Sequence, residues 1–226
     1  MRLIDKEMCH EILNPISPHR TDVLCSVLFF VQLLASLGSA LAGDYVWTPI
    51  GWEGAGSFNV VAIDPIVPST LYAGSDRGGY KSTDGGANWE AVNFGFPSSE
   101  IQSIAIDPST PSTLYAGIFD CVYKSIDGGA HWLAVNSGLP SPNDYGGPEM
   151  PIAIDPGTPS TLYVGIPGDG VYQSTDGGAH WLAFSSGLPN NNSVAAIAID
   201  PSTPSTLYAG GGRLFKITQS PTPLVI

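Results

Sequence analysis

Four near-copies of one thirteen-residue block punctuate this chain: AIDPIVPSTLYAG from Ala62, AIDPSTPSTLYAG from Ala105, AIDPGTPSTLYVG from Ala153 and AIDPSTPSTLYAG from Ala198. Between them stands a second signature, STDGGANW at Ser82, SIDGGAHW at Ser125 and STDGGAHW at Ser174. Self-similarity at a spacing of 43 to 48 residues means a tandem array of one supersecondary unit.

In the copy spanning residues 60 to 95, Val60 to Ile63 is an apolar run closed by Asp64-Pro65, and Thr70 to Ala73 is a β-prone run closed by Gly74. Tyr80 to Thr83 is a third run and Trp89 to Val92 a fourth. Four short strands parted by Gly, Pro, Asp and Ser clusters are the pattern of a propeller blade, and no stretch after residue 42 shows a helical apolar period.

The S-x-D-G-G-x-x-W element, called the box below, predicts a rigid hairpin connector. Its Asp accepts hydrogen bonds from N–H groups of its own turn, and its glycines take the positive φ angles such a turn demands. The structural positions are Ser82, Asp84, Gly86 and Trp89, then Ser125, Asp127, Gly129 and Trp132, then Ser174, Asp176, Gly178 and Trp181. Each tryptophan opens a fourth strand and has roughly 150–250 Å² of surface to bury against the neighbouring blade.

The spacing of these boxes resembles the Asp-box repeat, also called the bacterial neuraminidase (BNR) repeat. That repeat occurs in sialidases, xyloglucan-degrading glycoside hydrolases, sortilin-type receptors and photosystem II assembly factors. The resemblance runs from about Tyr45 to Thr218 and implies an all-β propeller of four-stranded antiparallel blades. It does not choose among the activities that scaffold hosts. Asn88, His131 and His180 stand before the tryptophans, where the family usually carries Thr.

The ends of the array carry information about closure. Trp47-Thr48-Pro49-Ile50 aligns with Trp89-Glu90-Ala91-Val92, while the last copy, Ala198 to Thr218, has Gln219 where the box Asp belongs. The expected fold is therefore four blades whose N- and C-terminal strands share the closing blade, which leaves no free sheet edge. Two alternatives stand beside it: a homodimer in which two chains complete an eight-bladed ring, and a shortened derivative of a longer array.

Residues 1–42 read as a signal peptide, with Arg2, Lys6 and Arg20, an apolar run from Val23 to Leu37, and Ser39, Ala40, Leu41 and Ala42 before the cleavage point. A retained membrane anchor is the alternative. Residues 43–220 form the propeller and 221–226 a C-terminal tail, so the domain is expected to be secreted, periplasmic or on the cell surface. From residue 43 onward, sixteen Asp and Glu face five Lys and Arg. That balance repels phosphate backbones and anionic lipid, which argues against nucleic-acid partners and against membrane insertion of the mature domain. Cys121 is the one cysteine left after the leader, so no disulfide within the domain is expected.

Function is expected where the copies differ. The DPSTPST turns and boxes lie on one edge of the blades and read as structure. The other edge carries the variable stretches: 50–59, 94–100, 137–150 and 186–193 between blades, and 76–79, 119–121, 167–170 and 211–213 within them. Loops on a rigid scaffold are where binding residues collect. These hold the candidate ligand-binding residues Trp52, Arg77, Phe119, Asp120, Tyr145, Asp169 and Arg213, together with loop aromatics such as Phe58 and Phe96. Aromatic faces with scattered carboxylates suit a sugar. Counting back from the aromatics of the third strands, Asp120 and Asp169 occupy equivalent positions on adjacent blades, which makes them the only acid–base pair to nominate. A sialidase of the resembled family needs three arginines, and Arg77 and Arg213 are too few. No metal or cofactor is expected, since each box offers a single carboxylate. The leading reading is a non-enzymatic propeller binding a glycan or a protein. A glycoside hydrolase and an assembly module of the cell envelope are the alternatives.

Overall fold

The L-Y-A-G and L-Y-V-G runs lack polar alternation, as strands covered on both faces do. Each becomes the second strand of a sheet in the computed structural model. It describes residues 48–50, 56–93, 95–96, 100–119, 121–140, 150–185, 188 and 194–218. The chain divides into two compact units, Met1–Pro49 and Ile50–Ile226, and every strand belongs to the second.

The first sheet contains β1 (Phe58–Ile63), β2 (Leu71–Ser75), β3 (Gly78–Ser82) and β4 (Glu90–Ala91). The second contains β5 (Ser103–Ile106), β6 (Leu114–Ile118), β7 (Cys121–Ser125) and β8 (Leu133–Ala134). The third contains β9 (Ile152–Ile154), β10 (Leu162–Ile166), β11 (Gly170–Ser174) and β12 (Leu182–Ala183). The last holds β13 (Val194–Ile199), β14 (Thr206–Gly211) and β15 (Leu214–Thr218). Within each sheet the strands follow chain order and pair antiparallel. The architecture is all-β, with propeller blades and no helix among the described residues.

Strand positions match the sequence reading to within a few residues. The fourth strands shrink to two residues, and Trp132 and Trp181, which precede β8 and β12, turn into the inter-sheet core. The first strands β1, β5, β9 and β13 are neighbours in succession. Residues 48–50, expected with Trp47 to supply the fourth strand of the last sheet, carry no strand, and Trp47 lies outside the described residues. So do the leader, residues 1–42, and the tail, 221–226.

Three apolar clusters, one at each junction between successive sheets, form the core. Trp132 packs with Tyr72, Ile101 and Leu114, and Trp181 with Tyr115, Val122 and Leu162. The third cluster, with Tyr163, Val171, Val194 and Leu207, has no tryptophan. Burying each such side chain contributes roughly 1.5–3 kcal/mol. Small residues in the second strands let the sheets approach: a Cβ on Gly74 would stand 2.6 Å from the Ile101 side chain.

Candidate functional site

The boxes fold as one design repeated three times. Ser82 Oγ donates to Asp84 Oδ1 at 2.8 Å and accepts the Gly86 N–H at 2.8 Å. Asp84 Oδ1 also accepts the Asn88 N–H at 2.9 Å, and its Oδ2 accepts the Asn88 side chain at 2.7 Å. In the other two boxes the histidine fills that role, with His131 Nδ1 2.6 Å from Asp127 Oδ2 and His180 Nδ1 2.7 Å from Asp176 Oδ2. The residues that depart from the resembled family thus complete the turn. The box carboxylates are held down to about 2, Asp84 chiefly by the Asn88 side chain and Asp127 and Asp176 chiefly by the backbone N–H groups of His131 and His180.

Those low values fix how stability varies with acid. In the unfolded chain the same carboxylates titrate near 3.9, roughly. The boxes therefore favour folding fully above about pH 4, and that contribution fades as pH falls through about 2. The melting temperature should drop between pH 5 and pH 2 when followed by circular dichroism, with a shallower decline in Asp127→Asn. Equal slopes would refute the assignment.

The DPSTPST turns are structural as well. Asp64, Asp107, Asp155 and Asp200 each accept the N–H groups two and three residues ahead. The Ser202 hydroxyl, ahead of the backbone N–H groups, holds the Asp200 carboxylate below the usual carboxylate range. An open cavity of about 310 Å³ beside these turns is lined by Ala62, Ile63, Pro65, Ala105, Ile106, Pro108 and Ile154. None of those side chains can hydrogen-bond a sugar.

On the opposite edge, Arg77, Phe119, Asp169 and Arg213 stand in the turns between the second and third strands of the four sheets. The Asp76 carboxylate accepts the Ser57 N–H at 3.0 Å, which ties the first of these turns to the segment leading into β1. Arg77 is exposed, with its N–H donating to Ser75 Oγ at 3.0 Å. Phe119 is 51% exposed and is the only described non-glycine residue with positive φ, at 41°. Asp169 is half-buried and its carboxylate accepts the Tyr172 hydroxyl. Arg213 is exposed, its carbonyl accepting the Gly211 N–H at 3.0 Å. Trp52, Asp120 and Tyr145 lie outside the described residues, and with them the spacing of the nominated carboxylate pair.

Part of the variable edge is structural instead. Phe96 stacks on Trp132 with ring centroids 4.8 Å apart, so it belongs to the core and not to a ligand surface. Asn93 and Asn136 accept the N–H groups of Gly79 and Val122, each at 2.6 Å, and Ser185 Oγ accepts that of Val171 at 2.8 Å. The signal that marks these three residues is a threefold recurrence, N-F-G-F-P from Asn93, N-S-G-L-P from Asn136 and S-S-G-L-P from Ser185.

With this geometry, the chain is similar in structure to several solved propellers. An ancestral GH74 enzyme matches at 23% identity and TM-score 0.61, over 78% of this chain and 24% of that one. The GH74 xyloglucanase from Xanthomonas campestris matches at 22% and 0.58, over 77% and 31%. YCF48 from Cyanidioschyzon merolae matches at 17% and 0.51, over 79% and 61%. The fold is therefore that of a β-propeller. The chain spans less than two thirds of each of these proteins. No protein-family model matches it, and neither does any curated protein. Among the described residues no helix is long and apolar enough to cross a membrane, and no group of side chains could hold a metal ion.

Proposed function

We propose that this chain is an exported, non-enzymatic Asp-box propeller that binds a carbohydrate or protein ligand at the edge bearing Arg77, Phe119, Asp169 and Arg213. Phe119 carries the reading. A non-glycine residue at positive φ costs of order 1–3 kcal/mol, and a half-exposed ring gains little from the fold in return. Strain of that kind, held at an exposed aromatic between two strands, fits a contact surface for sugar C–H faces or a protein side chain. The acidic balance of the domain supports an uncharged or basic ligand. Export is inferred from the leader, and with it a secreted, periplasmic or cell-surface location.

A glycan array that includes xyloglucan oligosaccharides tests this directly. Phe119→Gly should weaken the bound glycan roughly tenfold while raising stability by about 1 kcal/mol in urea unfolding. Lower stability with unchanged affinity would assign Phe119 to the fold alone. If the array shows no binding, pull-down against cell-envelope proteins decides between a protein ligand and no ligand.

The second reading is a glycoside hydrolase, supported by the equal sequence offsets of Asp120 from Tyr123 and of Asp169 from Tyr172 in adjacent copies of the repeat. Release of reducing sugar from xyloglucan that vanishes in Asp169→Asn would replace the first reading with this one.

A further inference from the structure

The junctions between successive sheets reuse two contacts, and the first and last sheets carry unmatched halves of both. One contact is a knob in a hole. Ile101 presses on Gly74, Met150 on Gly117 and Val194 on Gly165, and these three side chains are at most 3% exposed. Phe58 opens β1 with the same bulged pairing by which Val194 opens β13, yet Phe58 is 42% exposed. Among the described residues its ring meets the rings of its own sheet, Tyr80 and Trp89. The matching hole is open too: near a Cβ at Gly210 of β14 stands only Leu214 among the described residues.

A second contact is polar. Lys81 Nζ and Tyr72 Oη donate to the Gly128 carbonyl at 3.0 and 3.2 Å, and Lys124 and Tyr115 donate to that of Gly177 at 2.9 and 3.1 Å. In the last sheet Lys216 lies over the Tyr208 ring as Lys81 lies over Tyr72, with no box ahead of them among the described residues. The first sheet has the converse. Gly85 is the box glycine equivalent to Gly128 and Gly177, and nothing described approaches within 4 Å of its Cβ position.

The junction between the third and last sheets also holds an apolar slot of about 170 Å³, lined by Val171, Phe184, Leu188 and Leu207 among others. These are the repeat counterparts of Val122, Val135, Leu139 and Leu162, which surround Trp181.

We propose that a second copy of this chain covers these faces, the first sheet of each copy docking on the last sheet of the other. Phe58 enters the hole over Gly210, and Lys216 and Tyr208 reach the Gly85 carbonyl. The halves fit because they repeat, across two copies, a knob-and-hole contact the chain makes three times within itself and a polar contact it makes twice. Such a head-to-tail contact closes when two copies each supply both faces.

Light scattering on the purified full chain should give twice the chain mass. Phe58→Glu and Gly210→Leu should each weaken association roughly tenfold or more, with far-ultraviolet circular dichroism unchanged. Mixing the two variants should restore pairing, because one junction then joins an intact Phe58 to an intact Gly210. A wild-type mass of one chain would overturn the proposal. So would a mass that climbs beyond two chains with concentration, or a dimer indifferent to both substitutions.

Discussion

Trp181→Ala should cost about 3–5 kcal/mol of folding free energy, the range for removing a large aromatic from a packed core. The indole is 1% exposed and lies among Tyr115, Val122 and Leu162. Its Nε1 donates to the Val135 carbonyl at 2.7 Å, a bond that ties one sheet to the next. Alanine would leave a cavity and an unpaired carbonyl together. Against a domain stability of roughly 5–15 kcal/mol, that loss is large. Trp89→Ala should cost clearly less, because Trp89 is only half-buried although its Nε1 reaches Ile50 in the same manner. Urea unfolding of both variants checks the contrast, and equal losses would mean that burial between sheets is not what the box tryptophans contribute.

Gly138→Ala should be damaging by a different route. Gly138 has φ of 91°, and a Cβ there would overlap the backbone carbonyl of Trp181. A side chain could swing aside, whereas a backbone carbonyl held between two sheets cannot. Left-handed backbone alone costs about 1–2 kcal/mol, and displacing the Trp181 strand should bring the total to about 3 kcal/mol or more. Gly85→Ala is the control. Its φ of 73° imposes the same backbone cost, but no described atom of its own chain lies within 4 Å of the added Cβ. A Gly138→Ala protein that melts within a degree or two of Gly85→Ala would show that the close approach to Trp181 carries no energy.

The sheets were legible because turn chemistry repeats. Asp-Pro, Gly-Gly and the box Asp mark the chain reversals on one edge, and each mark corresponds to hydrogen bonds accepted by Asp64, Asp84 and their counterparts. The role of His131 and His180 was harder to read, since a residue before a tryptophan gives no hint that its side chain folds back four residues onto a carboxylate. Phe96 misled for a related reason. A phenylalanine in a loop looks like a ligand contact until the stacked Trp132 is seen across the sheet junction. The candidate site was legible only as a set of places. Turn residues such as Arg77 and Arg213 face solvent, so no packing pattern constrains which side chain stands there.

The polar contact joining the sheets has a consequence for how such a molecule changes length. Lys81 and Tyr72 reach forward to the box of the following sheet, while that sheet's own Lys124 and Tyr115 reach forward again. The blocks from Ala62 and Ala105, 43 and 48 residues long, therefore each bring one plug and one socket of the same kind. A gene segment duplicated or lost in register would meet a matching neighbour on both sides without a compensating substitution, so the number of blades is free to drift while the chemistry of each seam stays constant.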